Sequence, residues 1–382
     1  MALDRPMTES YEIGPIRPPS EAFSLLIRVT RNCPWNRCRF CPIYKGQKFE
    51  LRSVDEVKAD IDTARTIYDR LAEEAAQSGT SIREAAASIA NGAPNDAWRN
   101  VALFAYAGGN HVFLQDANSL IMRTPDLLEI LHHLREKFPA VDRITMYSRS
   151  HTAARKSLDD LKALKEAGIS RLHLGLESGA DPVLKLVDKG VTAADHIAGG
   201  KNVVASGISL CEYVMLGLGG KMYWKEHALE TARVLNEINP DYIRFRTLTV
   251  RPGMDLVNDV ADGTFIRATD EEIVEEEKLF LENLDVTSTI VSDHIINLLP
   301  DVEGKLPEDK EKMLGIIARF QSLPPEERDN YKLGRRLADY NHLDDISNPA
   351  LHAEVERVMA QVREEPGVDL DEVLFRLMER YI

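Results

Sequence analysis

The sequence predicts an α/β fold, a partial TIM-like (β/α)6 barrel followed by a helical C-terminal extension. From Ser24 onward, short apolar runs alternate with longer stretches of helical period, which is typical of βα units and a parallel sheet. The apolar runs contain few alternating polar residues, as expected for strands that are covered on both faces in a barrel or in a doubly wound sheet. After about Val286 this alternation stops and acidic helical stretches follow. A chain of 382 residues is long enough to bury such a core.

Six apolar runs are predicted to be the strands. They read, in order, SLLIRVT, VALFAYAGGN, RITMYSRS, RLHLGLESG, ISLCEYVMLGLGG and DYIRFRTLTVRPG. The first helix is predicted to begin at Ser53, because Ser53 and Glu56 have the spacing of a capping box. Its buried face is predicted from apolar residues at helical spacing, namely Val57, Ile61, Ala64, Ile67 and Leu71. Thr124-Pro125 and a second capping box, Thr269–Glu272, predict the starts of two later helices.

The chain is predicted to have three parts. Residues 1–21 form an extended N-terminal segment, residues 22–285 form the barrel, and residues 286–382 form the mostly helical extension. Within the barrel, residues from about 75 to 100 lack a strand pattern and are predicted to be an insertion. STIVSDHIINLL, near the start of the extension, contains a further strand in this interpretation.

The charge balance excludes some classes of partner. Lys and Arg number 47 against 62 Asp and Glu, which gives a formal charge of -15. Such a chain is not expected to have a general nucleic-acid-binding or membrane-binding surface. The N-terminal residues lack the apolar segment of a signal peptide, and no apolar run approaches the roughly 20 residues of a membrane span, so we expect a cytoplasmic protein.

Three of the four cysteines lie close together after the first predicted strand. Cys33, Cys38 and Cys41 occupy nine positions in RVTRNCPWNRCRFCPIYKG. Thiolates are soft ligands that suit zinc and iron–sulfur clusters. A structural zinc site needs four ligands, and this loop offers no fourth Cys or His. An open [4Fe–4S] cluster and a zinc or purely structural thiol site both remain as interpretations of the residues alone.

The loop resembles that of the radical S-adenosylmethionine (radical SAM) enzymes. Their usual pattern is C-x3-C-x2-C, whereas this chain has C-x4-C-x2-C. The resemblance implies a [4Fe–4S] cluster on Cys33, Cys38 and Cys41, whose open iron binds SAM. It also implies that Phe40 contacts the adenine.

Further segments resemble the relatives of oxygen-independent coproporphyrinogen dehydrogenases. Gly108-Gly109-Asn110 resembles the "GGE" segment at the SAM amino group, although Asn110 replaces the acid and a plain glycine turn is the alternative. Ser148, at the end of the third predicted strand, is a further predicted cofactor-binding residue. Asp116 and Asn118 are either polar residues of the same site or the start of the next loop.

The last three strand ends continue this resemblance. Glu177, in LHLGLESGADPVLKLVDKG, is implied to bind the ribose hydroxyls of SAM, with helix capping as the alternative. Lys189-Gly190 resembles the "KG" element of this group, and Gly217 resembles part of the glycine motif that the family places beside the adenine. Arg251, in an "RPG" segment, is implied to lie near the SAM carboxylate or the substrate, with a surface arginine as the alternative.

The implied activity is that of a radical SAM enzyme with a single cluster. Reductive cleavage of SAM would give a 5′-deoxyadenosyl radical that removes hydrogen from a small-molecule or peptide substrate. A haem-carrying or chaperone-like relative without catalysis, and a zinc-bound structural protein, are the alternatives. Basic residues around the loop, including Lys45 and Lys48, either dock an acidic flavodoxin or ferredoxin as electron donor or simply solvate the loop and offset the negative charge of the cluster. Cys211 is interpreted as a buried apolar residue, with a thiol that faces the substrate as the alternative. His294 is either a structural histidine or an acid–base group.

Overall fold

The computed structural model describes residues 6–364 and 367–381, so residues 1–5 of the predicted N-terminal segment lie outside the described residues. The chain forms two compact units. The first comprises Met1–Asn36, Gly46–Leu174 and Ala198–Leu210, and the second comprises Arg37–Lys45, Gly175–Ile197 and Cys211–Ile382. The three-part division at residues 21 and 285 stays a prediction.

Parallel strands form the core of the first unit. Strand β1 pairs in parallel with β4, β4 with β5, and β5 with β6. The strands are β1 (Leu25–Arg28), β2 (Thr30–Arg31), β3 (Glu50–Leu51), β4 (His111–Gln115), β5 (Arg143–Ser148) and the part of β6 (Ile169–Glu177) up to Leu174. The helices are α1 (Val54–Ser78), α2 (Ile82–Ala90), α3 (Asp96–Tyr106), α4 (Thr124–Lys137), α5 (Ser150–Arg155), α6 (Leu158–Glu166) and the end of α8 (Ala193–Ala205).

Helix α1 begins as its sequence predicts. The Ser53 side chain accepts a hydrogen bond from the Glu56 N–H, and the Glu56 side chain accepts one from the Ser53 N–H, so the capping box is complete. The five predicted apolar positions are all fully buried. The predicted helix start at Thr124 is also confirmed.

The second predicted strand is wrong. VALFAY belongs to helix α3, and Ala107 is the residue that caps its C-terminus. The strand is β4, HVFLQ, which begins after the two glycines and Asn110. The Asn95 side chain caps this helix by accepting from the Trp98 N–H. Val101, Ala102, Phe104 and Ala105 are buried, since the helix is covered on more than one side. A short apolar run with this much burial has the same periodicity in a helix and in a strand. The predicted insertion is therefore a helical stretch that includes the end of α1, α2 and the start of α3.

The second unit continues the parallel arrangement. Strand β7 pairs in parallel with β8 and β8 with β9, while β10 pairs antiparallel with β9. Its strands are the end of β6, β7 (Ser209–Leu216, from Cys211), β8 (Tyr242–Thr247), β9 (Thr289–Val291) and β10 (Gly304–Lys305). Its helices are α7 (Asp181–Leu186), the start of α8, α9 (Gly220–Ile238), α10 (Leu256–Ala261), α11 (Asp270–Glu282), α12 (Lys310–Ser322), α13 (Pro325–Leu337), α14 (Pro349–Glu364) and α15 (Leu370–Met378).

The predicted α/β class and the order of the βα units are confirmed. Five of the six predicted strands form where they were expected. In place of the second predicted strand, the chain forms β4 a few residues later. Thr269 and Glu272 form the predicted capping box of α11. In the part of the chain that the structure describes, four α-helices follow β10, as expected for the C-terminal extension. Among the described residues, no helix is long and apolar enough to cross a membrane.

Candidate cofactor site

The cysteine loop lies between two short paired strands. Strand β2 pairs antiparallel with β3, so that Thr30 faces Leu51 and Arg31 faces Glu50 at the base of the loop. Cys33, Cys38 and Cys41 are half-buried and none of them is in a disulfide. Within residues 6–364 and 367–381, no three His, Cys, Asp or Glu side chains are gathered as a metal site. Three accessible thiols on one loop nevertheless fit an iron–sulfur cluster in their chemistry, and metal ligands are commonly drawn together as the metal binds.

Two of these cysteines pack on an apolar cluster in the second unit. Phe40 is buried in this cluster, and Cys38 and Cys41 lie against it. The other buried members are Ala180, Val183, Val187, Leu218, Val250, Met254, Leu256 and Phe265. They come from α7, from the residues after β7 and β8, and from α10. The loop is therefore seated where three successive strands of this unit end.

Backbone hydrogen bonds and ion pairs hold the Arg37–Lys45 segment in this seat. The Arg39 N–H donates to the Val187 carbonyl at 2.9 Å, and the Leu256 N–H donates to the Arg39 carbonyl at 3.1 Å. The Arg39 guanidinium binds both carboxylate oxygens of Asp259, at 2.7 and 2.5 Å. Lys45 Nζ lies 2.7 Å from Asp255 Oδ2. Arg39 and Lys45 thus tie the segment to α10 and the residue before it.

Glu177 and Lys189 meet beside Phe40. Lys189 Nζ donates to Glu177 Oε1 at 3.0 Å and lies 5.6 Å from the centroid of the Phe40 ring. Glu177 has a left-handed backbone, with φ of 62°. This conformation costs a non-glycine residue roughly 1–2 kcal/mol, and such strained residues are concentrated at functional sites. The structure therefore brings together three residues that the sequence predicted separately.

Gly175 makes room for this pair, and the sequence analysis missed it. A Cβ at Gly175 would lie 2.5 Å from Glu177 Oε1 and 3.0 Å from Lys189 Nζ. Any side chain at this position would therefore displace the ion pair. The alternation of strand β6 carried the signal, because Gly175 and Glu177 are two residues apart and share a face.

Glu212 is a second residue that sequence reasoning missed. Both of its carboxylate oxygens are buried and lack a hydrogen-bond partner in the described part of the chain. Burial, together with the charge of Glu177, raises the pKa of Glu212 well above its usual value. Its signal was a single acid in the apolar run SLCEYVML. Its neighbour Cys211 is buried.

The glycines after β7 are required by packing. The Gly217 N–H donates to Glu276 Oε1 at 2.7 Å, and a Cβ there would lie 3.1 Å from Ile273 Cδ1. Gly217 has φ of 79°, which favours glycine. A Cβ at Gly219 would come within 2.9 Å of the Tyr223 backbone. The predicted role of Gly217 beside adenine stays a prediction, because its amide donates to Glu276.

Two buried groups stabilise these strand ends. Burial raises the pKa of Glu276 to about 8 and lowers the pKa of His227 to about 4, so both are neutral near pH 7. The two histidine nitrogens of His227 lie 2.8 Å from Ser178 Oγ and 3.0 Å from the Met215 carbonyl. His227 therefore connects the residue after Glu177 with the end of β7.

Arg251 lies on a turn near the cysteine loop. The Met254 N–H donates to the Arg251 carbonyl at 3.2 Å. Gly253, in the same turn, has φ of 92°, and a Cβ there would lie 3.5 Å from the Cβ of Pro42, the residue after Cys41. Arg251 itself is half-buried. The "RPG" segment is thus a neighbour of the loop, while its contact with SAM stays a prediction.

Gly108, Gly109 and Asn110 are not where the sequence analysis expected them. They come before β4 and join it to α3. Functional groups of parallel βα units collect at the carboxyl ends of the strands, and these three residues are at the opposite end of β4. The interpretation as a "GGE" segment after a strand was therefore wrong. It failed because the helix α3 was taken for the strand.

Asp116 and Asn118 take the place after β4, in the first unit. Asp116 is fully buried and accepts from Arg28 Nη2 at 2.7 Å and from the Asn32 N–H at 3.2 Å. Since Asn32 directly precedes Cys33, Asp116 fixes the start of the cysteine loop. Asn118 Oδ1 accepts from the Ser148 hydroxyl at 3.2 Å. Ser148 is thus part of a polar network at this strand end.

Residues 93–232 match the family model described as the radical SAM superfamily. These residues are therefore similar to a radical SAM domain. The predicted resemblance to radical SAM enzymes is thereby confirmed, and the match leaves the reaction unspecified. The three loop cysteines precede the matched residues.

Curated relatives are identical to this chain at slightly more than a quarter of the aligned positions. A tRNA-2-methylthio-N(6)-dimethylallyladenosine synthase of Hahella chejuensis is 28% identical over 258 residues, which is 66% of this chain and 49% of the relative. An uncharacterized protein of Methanocaldococcus jannaschii is 27% identical over 142 residues, which is 37% of this chain and 44% of the relative. The chain thus spans about half the length of the curated relatives it matches.

Solved structures are more remote. The coproporphyrinogen III oxidase of Escherichia coli gives a TM-score of 0.43 at 17% identity, covering 68% of this chain and 52% of the other. Methylornithine synthase gives a TM-score of 0.41 at 13% identity, covering 79% and 82%. These likenesses are too distant to inform the function.

Proposed function

We propose that this protein is a radical SAM enzyme that binds one [4Fe–4S] cluster through Cys33, Cys38 and Cys41. The observation that carries the proposal is the arrangement in the second unit, where Phe40, Cys38 and Cys41 share one apolar seat next to the Glu177–Lys189 pair. A radical SAM domain in residues 93–232 supports the same conclusion. When bound, the cluster and SAM supply a 5′-deoxyadenosyl radical that removes hydrogen from a substrate.

The residues of the chain bind and orient SAM in this proposal. Phe40 offers an aromatic edge to the adenine, and Glu177 accepts hydrogen bonds from the two ribose hydroxyls. Lys189 holds the Glu177 carboxylate in place through its 3.0 Å hydrogen bond. The apolar cluster behind Phe40 excludes water, which protects a reactive species from competing reactions. Orientation of the substrate carbon is the remaining task of the protein.

We propose a small molecule or a peptide as the substrate. Two curated relatives are named as tRNA-modifying synthases, but this chain carries a formal charge of -15. Such a charge opposes the contacts with phosphates that dominate nucleic-acid affinity.

An acidic flavodoxin or ferredoxin remains the proposed electron donor, but fewer basic side chains are available for docking than the sequence suggested. Seven basic residues lie between Arg28 and Arg52. Six of them form ion pairs with acids of the chain, namely Arg28, Arg31, Arg37, Arg39, Lys45 and Arg52. Lys48 is the exposed lysine of the loop. Reversal of the charge at Lys48 should slow turnover driven by flavodoxin and spare turnover driven by dithionite.

The test is production of 5′-deoxyadenosine by anaerobically reconstituted protein. Native protein, Cys38→Ala and Cys211→Ala are each loaded with iron and sulfide, reduced and supplied with SAM. Native protein and Cys211→Ala should form deoxyadenosine, because Cys211 is a buried strand residue. Cys38→Ala should lose both the cluster and the product. Zinc without labile sulfide, or a fully loaded cluster that forms no product, would reject the proposal.

A further inference from the structure

A cluster of charged side chains lies on one face of the second unit, apart from the residues assigned to SAM. Arg244 and Arg246 are two residues apart on β8 and point to the same face. Tyr213, on β7, is the register partner of Arg244. The Tyr213 ring lies 4.9 Å from the Arg246 guanidinium carbon and 6.0 Å from that of Arg244. Asp293 and His294 follow directly after β9.

This cluster has more positive than negative charge. Asp293 is the carboxylate that both arginines share, with N–O distances of 3.6 Å to Arg244 and 3.1 Å to Arg246. Burial raises the pKa of Tyr213 to about 12, so the phenol carries no charge near pH 7. Burial and the charge of Arg246 lower the pKa of His294 to about 4, so the imidazole is neutral as well. Two guanidinium groups therefore face one carboxylate, on a chain whose total charge is -15.

The Arg246 guanidinium also has nitrogen atoms that are available to donate further hydrogen bonds. Its Nη1 donates to the Phe245 carbonyl at 2.8 Å and to Asp293 Oδ1 at 3.1 Å. Its Nε and Nη2 make no hydrogen bond to the described residues. The side chain is 14% exposed, so the guanidinium is not fully enclosed by the protein. The neighbouring His294 has a buried Nδ1 without a hydrogen-bond partner in the described chain.

We propose that Arg246, supported by Arg244, Tyr213 and His294, binds a carboxylate group of the substrate. The inference rests on the proposed function for the presence of a substrate, and it adds the chemical class. The Nε–Nη2 edge of a guanidinium forms two parallel hydrogen bonds with a carboxylate. One excess positive charge is balanced by one monoanion. The cluster also lies toward the carboxyl end of β8 and just after β9, where functional groups of parallel βα units collect.

Binding of a probe to the oxidised, cluster-loaded full chain tests this site without any radical chemistry. The probe is butanoate, its neutral isostere is butyramide, and methyl phosphate is the competing anion. Binding is followed through the His294 resonances in NMR spectra, which are assigned by their loss in His294→Gln. We expect butanoate to shift these resonances to saturation and butyramide to leave them unchanged.

Variants of Arg246 and a matched control complete the test. Arg246→Gln should weaken butanoate binding about 10- to 100-fold, because charged hydrogen bonds are lost. Arg246→Lys keeps the charge but not the fork, so its binding should be intermediate. Arg233→Gln removes the same charge from the exposed Glu230–Arg233–Glu237 group on α9 and should bind like native protein. Thermal unfolding of each variant verifies that it is folded.

Several results would overturn the inference. These are the absence of a saturable shift, equal shifts from butyramide, tighter binding of methyl phosphate, native-like affinity in Arg246→Lys, and displacement of butanoate by SAM. The last would place the arginines in the SAM site. Butanoate binding in a protein that makes no deoxyadenosine would reject the proposed function alone. Deoxyadenosine formation without butanoate binding would reject the carboxylate site alone.

Discussion

Substitution of Gly175 by alanine separates the folding of β6 from the proposed use of Glu177. The added Cβ would lie 2.5 Å from Glu177 Oε1, whereas an ordinary carbon–oxygen contact is about 3.3 Å or longer. The carboxylate must therefore move by about 1 Å, and Lys189 Nζ, 3.0 Å from the new carbon, must move with it. Both groups are the ends of flexible side chains, so the free energy of unfolding should change by no more than about 1 kcal/mol.

The effect on SAM should be much larger than the effect on stability. A misplacement of about 1 Å in a positioning group can reduce a rate about 100-fold, and we expect deoxyadenosine formation in Gly175→Ala to fall by that order. Glu177→Gln should weaken SAM binding about 10- to 100-fold, because hydrogen bonds to a charged acceptor become bonds to a neutral one. Both are measured on reconstituted protein, by equilibrium binding of SAM and by quantified product.

Gly315→Ala is the matched control, because Gly315 lies within α12 with open space around it. It should keep native SAM binding and gain about 0.5–1 kcal/mol of stability. Native product formation in Gly175→Ala would refute the proposed role of Glu177. A loss of stability above about 3 kcal/mol would instead show that the ion pair cannot move, contrary to this reasoning.

Three further changes test other parts of the structure. Phe40→Ala should lower the free energy of unfolding by about 3 kcal/mol and Phe40→Leu by less than about 1.5 kcal/mol, while both weaken SAM binding; native SAM affinity in Phe40→Leu would contradict the adenine contact. Asp116→Asn removes the fully buried carboxylate that pairs with half-buried Arg28 and should cost about 3 kcal/mol in urea unfolding, whereas Asp126→Asn, in the exposed pair with Arg123, should leave the unfolding midpoint nearly unchanged. The pKa of Glu276 rises from 4.5 to about 8 on folding, so the folded state holds the proton more tightly than the unfolded state does. The native protein should therefore lose stability as the pH rises from about 4.5 to 8. Glu276→Gln should remove this part of the pH dependence, and an equal change of unfolding free energy with pH in the two proteins would contradict the assignment.

The features that could be predicted from sequence are those set by local chemistry. The capping boxes at Ser53 and Thr269 need only four consecutive residues, and both form. The buried face of α1 follows from the helical spacing of its apolar residues. The prediction of the second strand was wrong for the opposite reason. VALFAY is buried on more than one side of its helix, so its sequence lacks the polar residues that would indicate a helical period. Asn95, the cap of α3, was the local signal that could have corrected it.

The residues of the candidate site differ in the same way, since some follow from a local motif and others depend on tertiary contacts. Cys38, Phe40 and Cys41 are close in sequence, so their shared seat follows from the loop motif. Gly175, by contrast, matters because of where the side chains of Glu177 and Lys189 lie, which spacing alone does not specify.

At such strand ends, the alternation of side chains between the two faces of the strand tells more about function than the number of apolar residues does. In YIRFRT, Arg244 and Arg246 occupy every second position of a strand whose other face holds Ile243 and Phe245. Two arginines on one face of a buried strand require partners, since an unpaired buried charge is costly. Asp293 supplies one partner, and the unused edge of Arg246 is left for another. A carboxylate of the substrate is the partner we infer for that edge, and this is why the cluster is more informative about the substrate than the SAM-binding residues are.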